Sequence, residues 1–187
     1  ISALRLRTLP LAAASIIVGA GLAMHDHIFN PLIFGLSLIT ALLLQILSNL
    51  ANDYGDAKTG ADNESRVGPK RAMQSGLISL LEMRCAIFIT TFIAFLSGVL
   101  LLFFALKSDL FSWLLFLSFG LIAIAAAITY TMGRVPYGYR AMGDIAVFLF
   151  FGLLGVLGSY YLYDISFNWV NILPAISIGF LSAAVLN

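Results

Sequence analysis

The sequence predicts an all-α, polytopic transmembrane helical bundle, and the composition and the spacing of its apolar runs are the observations that predict it. Hydrophobic residues make up 61% of the 187 positions, charged residues only 10%, and the mean hydropathy is +1.01. Soluble domains carry about 25% charged residues. A chain this poor in charge cannot cover a globule with solvated groups, so its surroundings are expected to be lipid.

Six apolar runs meet or approach the length of a membrane-spanning helix. Crossing a hydrocarbon core of about 30 Å takes roughly 20 residues. Backbone groups in lipid must be hydrogen-bonded within their own segment, which favours helices. The predicted helices, numbered 1 to 6, comprise residues 9–24, 32–51, 86–106, 110–130, 145–163 and 170–186.

Predicted helix 5 carries glycines at every third position, Gly152, Gly155 and Gly158. Small residues at this spacing allow a neighbouring backbone to approach closely, so we interpret them as a packing surface. We treat residues 1–187 as a single domain. The chain begins at Ile1 without a methionine and ends inside an apolar run, so we expect it to be truncated at both ends.

The basic residues predict the orientation in the membrane. Nine of the ten lie before helix 1, between helices 2 and 3, or between helices 4 and 5, whereas Lys107 lies on the opposite side. Positive residues favour the cytoplasmic side, so the N-terminus and both basic connections are predicted to be cytoplasmic in a multi-pass protein of the cell inner membrane. The net charge of +1 argues against a nucleic-acid partner.

A polar stripe continues from the end of predicted helix 2. Gln45, Asn49, Asn52, Asp53 and Asp56 recur at intervals of three or four, so they share one helical face. Hydrogen bonding between packed helices explains the first two. Two carboxylates one turn apart repel each other unless a positive group lies between them, and polar residues in a membrane segment are functional candidates.

The acids and the bases that follow them predict a metal–diphosphate site. Magnesium prefers oxygen ligands and commonly takes one or two protein carboxylates, with phosphates and water completing its shell. The candidate metal ligands are Asp53, Asp56 and Asp62, and the candidate phosphate ligands are Arg66, Lys70 and Arg71. The alternative is a solvated loop of mixed charge. Continuity with the stripe on helix 2 favours the functional interpretation.

The connection between predicted helices 4 and 5 carries a second group of candidates. The polar cluster there comprises Thr129, Tyr130, Thr131, Arg134, Tyr137, Tyr139, Arg140 and Asp144. The candidate site residues among them are Tyr130, Arg134, Tyr139 and Asp144. Arg134 could contact the same phosphates, and the tyrosines could form a wall for an aromatic substrate. Interfacial anchoring explains the tyrosines equally well, and capping of helix 5 explains Asp144 equally well.

The stretch Asn52-Asp53-Tyr54-Gly55-Asp56 resembles the first aspartate-rich motif of the UbiA superfamily of intramembrane prenyltransferases. The third acidic position of the general motif is Gly60 here, with Asp62 two residues later. That departure resembles the branch that prenylates 1,4-dihydroxy-2-naphthoate for menaquinone synthesis. Residues 66–69, 130–134, 136–139 and 143–144 look like the same branch, and the similarity covers nearly all of the chain.

The resemblance implies a nine-helix fold around a central cavity, of which this chain contains about six helices. It implies a Mg²⁺-dependent enzyme that transfers a polyprenyl group from polyprenyl diphosphate to an aromatic acid, with loss of the carboxylate in the naphthoate branch. The second aspartate-rich motif would begin near Asn187, so the chain by itself is expected to be inactive.

On this interpretation, the candidate residues fall into three groups. The catalytic candidates are Asp53, Asp56 and Arg134, and the magnesium ligands are Asp53, Asp56 and Asp62. The substrate-binding candidates are Asn49, Asn52, Arg66, Lys70, Arg71, Tyr130, Tyr139 and Asp144.

Three alternatives remain open on the sequence alone. A member of the same superfamily acting on 4-hydroxybenzoate or a related acceptor is the nearest. A membrane phosphotransferase for lipid alcohols would show a different glycine–arginine–aspartate spacing, which is not found. A cation-coupled transporter predicts carboxylates near the middle of the membrane and discontinuous helices, whereas these acids lie at the end of a span.

Overall fold

A computed structural model describes residues 2–59, 73, 76–133, 136–140 and 142–186, and the regular structure in these residues is helical. The main helices are α1 (Leu9–His25), α2 (Pro31–Thr59), α3 (Leu80–Leu106), α4 (Leu110–Thr129), α5 (Gly143–Asp164) and α6 (Ile172–Leu186). Short 3₁₀ turns cover Ser2–Leu4, Leu6–Thr8, Tyr137–Arg140 and Trp169–Asn171.

Five of the described helices are long and apolar enough to cross a membrane. They are Leu6–His25, which includes the turn before α1, together with α2, α3, α4 and α5. The remaining apolar helix, Trp169–Val185, is shorter. The predicted all-α membrane fold is thus confirmed, and the protein is a multi-pass membrane protein.

Helix α2 is longer than its apolar run. The prediction ended the apolar span at residue 51, but the helix continues to Thr59 and carries Asp53 and Asp56 on its last turns. Its start is fixed by Asn30, whose side-chain oxygen accepts a hydrogen bond from the backbone N–H of Leu32 at 2.9 Å, and by proline at the first helical position. The polar stripe is therefore helical throughout.

Helix α3 begins six residues before its predicted start. Ser79 accepts a hydrogen bond from the backbone N–H of Glu82 at 3.3 Å, and the Glu82 carboxylate accepts one from the Ser79 N–H at 2.8 Å. This reciprocal pair is a capping box, which starts the helix at Leu80. The predicted boundary was wrong because the charge at Arg84 was interpreted as the end of the loop.

Helix α5 is widened over Phe148–Gly158, where the hydrogen bonds follow a π-helical pattern. The glycines of this segment contact neighbouring helices, as predicted. A Cβ atom at Gly152 would lie 2.6 Å from the Cα atom of Gly179 on α6, and one at Gly155 would lie 2.7 Å from the Cβ atom of Ser15 on α1. Close backbone approach at these two glycines joins α5 to both neighbours.

Two apolar clusters hold the bundle together, one near each end. The first contains Ala3, Leu47, Leu50, Met83 and Ile87, and the second contains Ile33, Leu101, Leu102, Ala105, Leu106 and Leu162. The segment before α1, the last turns of α2 and the connection between α4 and α5 meet beside the first cluster. We call this end of the bundle the acidic end, because it contains Asp53 and Asp56.

Candidate active site

The two predicted acids lie on consecutive turns at the acidic end and are almost fully buried. Asp53 is 1% exposed and Asp56 is 8% exposed. Residues three positions apart on a helix are neighbours on its surface. Burying a carboxylate is costly unless charges or hydrogen bonds compensate for the lost water, so each acid needs partners.

Arg5 provides a partner of Asp53. Its guanidinium group forms a hydrogen-bonded ion pair with a carboxylate oxygen of Asp53. Arg5 has a left-handed backbone conformation, with φ of 47°, and its carbonyl oxygen accepts hydrogen bonds of 2.9 Å from both the N–H and the hydroxyl of Thr8. The charge of Asp53 is thus balanced by a residue 48 positions earlier in the chain.

Two amide side chains of the polar stripe, Gln45 and Asn49, hold the N-terminal segment against α2. The Asn49 side-chain nitrogen donates hydrogen bonds to the carbonyl oxygen of Leu4 at 2.8 Å and to the hydroxyl of Thr8 at 2.9 Å. Gln45 donates to the Asn49 side-chain oxygen at 3.2 Å. Both amides therefore bond within the protein, as the packing interpretation expected, and a contact between Asn49 and substrate stays a prediction.

Tyr139 provides a partner of Asp56. Its phenol donates a hydrogen bond to a carboxylate oxygen of Asp56 and lies 3.4 Å from the hydroxyl of Thr59. The 3₁₀ turn Tyr137–Arg140 is also bonded to the end of α4. The phenol of Tyr137 donates to the carbonyl oxygen of Ala126 at 2.9 Å, and the N–H of Gly138 donates to the carbonyl oxygen of Tyr130 at 2.9 Å.

Thr131 docks the same connection onto α2 between the two acids. It is 4% exposed, and its hydroxyl lies 3.0 Å from the carbonyl oxygen of Ala51 and 3.2 Å from the side-chain oxygen of Asn52. The close approach requires a glycine, because a Cβ atom at Gly55 would lie 2.5 Å from the carbonyl oxygen of Thr131. The glycine in the acidic motif therefore has a packing role.

Tyr130 and Tyr137 form an aromatic pair beside the acids, with ring centroids 5.2 Å apart in an edge-to-face arrangement. Burial raises the pKa of Tyr130, and the negative charges of Asp144 and Asp56 raise it further. Burial, with a smaller effect of Tyr130, raises the pKa of Tyr137 to about 12. Both side chains are therefore neutral hydrogen-bonding phenols near neutral pH.

A cavity of about 390 Å³ runs from this end into the bundle. Arg5, Asn49, Asn52, Tyr130 and Tyr137 line its polar end, and most of its other lining residues are apolar. Its lining residues on α2 extend from Asn52 back to Ser37, fifteen positions, or about 22 Å at the rise of an α-helix. A long apolar ligand with a charged head would match this shape.

The structure brings together most of the predicted site residues that it describes. Asp53, Asp56, Asn52, Tyr130 and Tyr139 converge at the acidic end. Asp144 lies in the first turn of α5 and is exposed, close enough for its charge to affect Tyr130. The remaining candidates, Asp62, Arg66, Lys70, Arg71 and Arg134, lie outside the described residues.

The described residues suit a hard divalent cation, although they do not form a complete set of ligands. Carboxylate and amide oxygens are the donors that magnesium prefers, and Asp53, Asp56 and Asn52 supply them within two turns. Within the described ranges, no group of three or more His, Cys, Asp or Glu side chains is arranged to hold a metal ion.

The sequence interpretation missed the role of Arg5, which it used only for orientation. It placed Thr131 in the polar cluster between helices 4 and 5 without giving it a role of its own. Burial of the acids signals that cations must lie nearby, but the basic residues at 5 and 7 are equivalent in sequence. The structure separates them, because Arg5 pairs with Asp53 whereas Arg7 is exposed.

Comparison with known proteins identifies close relatives. Residues 12–187 match the model of the UbiA prenyltransferase family. The 1,4-dihydroxy-2-naphthoate octaprenyltransferase of Escherichia coli (strain K12) is 51% identical over 187 residues, which cover 100% of this chain and 60% of that protein. The protein of the same name from Mycobacterium tuberculosis is 37% identical over 188 residues, covering 100% and 61%.

A more distant relative acts in related chemistry according to its name. The 2-carboxy-1,4-naphthoquinone phytyltransferase of a Synechocystis species is 26% identical over 156 residues, covering 82% of this chain and 47% of that protein. The chain thus spans about 60% of the length of the two octaprenyltransferases. No solved structure matches it.

Proposed function

Because this chain belongs to the UbiA prenyltransferase family, we propose that the protein transfers a polyprenyl group from polyprenyl diphosphate to 1,4-dihydroxy-2-naphthoate, with loss of the carboxylate, in menaquinone (vitamin K2) biosynthesis. The observation that carries the proposal is the cavity, which runs about 22 Å along α2 from a polar end into an apolar interior. Its polar end is lined by Asn52, the residue before Asp53, and by Arg5, the ion-pair partner of Asp53. The names of the relatives support the naphthoate acceptor and the prenyl donor.

The donor's two halves match the two parts of the cavity. The apolar walls take the prenyl chain, and removal of its hydrocarbon surface from water or lipid headgroups stabilises the complex. The charged diphosphate would lie at the polar end, beside Arg5 and Asn52 and close to the turn of α2 that carries Asp53 and Asp56. Bound Mg²⁺ would supply positive charge to the leaving diphosphate there. We propose that four basic residues add charge-assisted hydrogen bonds to the diphosphate: Arg66, Lys70, Arg71 and Arg134. Asp62 is proposed as the third carboxylate ligand of the metal.

The protein's own residues keep the reacting end ordered and dry. Arg5 and Tyr139 hold the two carboxylates in place through their hydrogen bonds. When the allylic C–O bond breaks, the cavity walls exclude water that would otherwise trap the carbocation. The neutral phenols of Tyr130 and Tyr137 offer a polar wall for the acceptor ring. The ring carbon that bears the carboxylate attacks the cation, and loss of the carboxylate as CO₂ then restores the aromatic ring.

The proposed orientation follows from the charges. The acidic end lies beside the basic residues of the N-terminus and of the connection between α4 and α5, so it is proposed to face the cytoplasm from the inner membrane. There both the diphosphate and the aromatic acid are accessible from water, while the prenyl chain reaches the cavity from the bilayer.

Activity of acid-to-alanine variants tests the proposal. In the intact protein, Asp53→Ala or Asp56→Ala should each lower prenyl transfer to 1,4-dihydroxy-2-naphthoate by at least about a hundredfold, as expected for loss of charge-stabilising groups. Asp164→Ala is the matched control, because Asp164 is an exposed acid at the last residue of α5. It should retain full activity.

Two results would count against the proposal. Near-normal transfer by both Asp53→Ala and Asp56→Ala with Mg²⁺ present would remove the acidic turn from the active site. Faster product formation with 4-hydroxybenzoate than with 1,4-dihydroxy-2-naphthoate, measured with the same polyprenyl diphosphate, would keep the reaction class but replace the acceptor.

A further inference from the structure

Thr131 is a buried residue in the connection between α4 and α5, and its hydroxyl has two oxygen neighbours. The carbonyl oxygen of Ala51 lies 3.0 Å away, and the atom placed as the side-chain oxygen of Asn52 lies 3.2 Å away. A hydroxyl has one proton to donate but can also accept. It cannot donate fully to both oxygens, so one contact is unsatisfied in that arrangement.

Rotation of the Asn52 amide by half a turn satisfies both contacts. The nitrogen and oxygen of an asparagine amide occupy nearly interchangeable positions, and the hydrogen-bond network decides between them. With the nitrogen towards Thr131, the hydroxyl donates to Ala51 and accepts from Asn52. Two hydrogen bonds replace one, and leaving a buried polar contact unmade is costly. The network therefore favours the amide nitrogen on the Thr131 side.

The amide oxygen of Asn52 then points away from Thr131. Asn52 lines the polar end of the cavity, whereas Thr131 does not line it and lies behind the wall. Asn52 immediately precedes Asp53 on α2, and in this orientation its oxygen faces the cavity, whereas the Asp53 carboxylate is paired with Arg5, which also lines the cavity. An uncharged oxygen there suits a divalent cation, whereas an amide N–H₂ group in its place would repel one.

We propose that Thr131 is a positioning residue that fixes the Asn52 amide with its oxygen towards the cavity, where it can bind the cation of a metal–diphosphate complex. This inference rests on the proposed function, and it assigns a role to a residue outside the acidic motif. Close contact between the Thr131 backbone carbonyl and α2 at Gly55 holds the Thr131 hydroxyl at a fixed position beside Asn52. Groups that orient metal ligands in this way typically contribute tenfold to hundredfold to metal affinity.

The test measures binding as well as activity in the intact protein. Thr131→Val keeps the branched shape and removes the hydroxyl, so the affinity for Mg²⁺, measured by calorimetry with a non-hydrolysable prenyl thiodiphosphate present, should fall about tenfold. Thr131→Ser keeps the hydroxyl and should restore most of that affinity.

Asn52→Asp provides the background that separates orientation from packing. A carboxylate presents an oxygen to the cavity whichever way it is turned, so Thr131→Val should change Mg²⁺ affinity less than about twofold when Asn52 is aspartate. A loss of the same size in both backgrounds, including a loss through misfolding, would show that Thr131 acts through packing and would overturn the inference.

The outcomes also separate this inference from the proposed function. An unchanged Mg²⁺ affinity in Thr131→Val, in a protein that binds the thiodiphosphate and loses binding on Asp53→Ala, would overturn the role of Thr131 alone. Failure of the unaltered protein to bind the thiodiphosphate in the presence of Mg²⁺ would overturn the proposed function and this inference with it.

Discussion

Substitution of Gly55 by alanine tests the docking of the α4–α5 connection onto α2. The added Cβ atom would lie 2.5, 2.6 and 2.7 Å from the carbonyl oxygen, hydroxyl oxygen and Cβ atom of Thr131. The side chain cannot relieve all three contacts by rotation, because one of them is to backbone. Overpacking of this kind costs about 1–3 kcal/mol, while alanine gains about 1 kcal/mol over glycine in a helix.

The matched control is Gly35→Ala in the same helix. A Cβ atom at Gly35 meets no atom within 4 Å, so this change should leave stability unchanged or raise it by about 0.5–1 kcal/mol. Gly55→Ala should therefore be less stable than Gly35→Ala by about 2 kcal/mol. Prenyl transfer should also fall in Gly55→Ala, because the clash moves Thr131 away from Asn52.

The assay is unfolding of both variants in mixed detergent–SDS micelles, followed by circular dichroism, with prenyl transfer measured on the same preparations. Equal unfolding midpoints for Gly55→Ala and Gly35→Ala would refute the docking of Thr131 on α2. A lower midpoint for Gly55→Ala with unchanged activity would keep the docking but disconnect it from the site.

Two further predictions concern the partners of the acidic turn. Arg5→Gln removes the positive charge that pairs with buried Asp53. Loss of one partner of a buried pair costs about 3–5 kcal/mol of stability, and this falls to about 2–3 kcal/mol here because the Arg5 side chain is 27% exposed. Arg7→Gln, at an exposed position, should change stability by less than about 0.5 kcal/mol. Equal unfolding midpoints for these two variants would contradict the Arg5–Asp53 pair. The pKa of Tyr137, raised to about 12 from an ordinary value near 10, gives a stability contribution that is complete below pH 10 and lost as the pH rises towards 12. Tyr137→Phe should reduce the slope of unfolding free energy against pH in this window, and an unchanged slope would argue against burial of the phenol.

The sequence was informative where one local pattern dominates. The apolar runs gave the helices because lipid leaves the backbone no other way to satisfy its hydrogen bonds. The stripe from Gln45 to Asp56 was correctly assigned to one face, since its period is that of a helix. The early start of α3 is also encoded locally, by the capping pair Ser79 and Glu82, but the charge of Arg84 led us to predict a later start.

Other features depend on contacts between distant positions. The π-helical turns of α5 place its glycines against α1 and α6. The spacing of residues within α5 alone does not predict these turns. The same is true of Tyr139, whose phenol reaches Asp56 from 83 positions away. The sequence named Tyr130 and Tyr139 as candidates but assigned no partner within the protein to either.

The sequence by itself determined that this protein lies in a membrane as a helical bundle and that two acids share a helical face at the end of α2. Hydropathy and periodicity are local properties, and the cost of burying backbone or charge acts on each segment separately. Only the tertiary structure decided which groups compensate those acids. Arg5 rather than Arg7 reaches Asp53, and Thr131 reaches Asn52 across Gly55, because the packing of α1, α2 and α4 sets these distances and no interval along the chain encodes them.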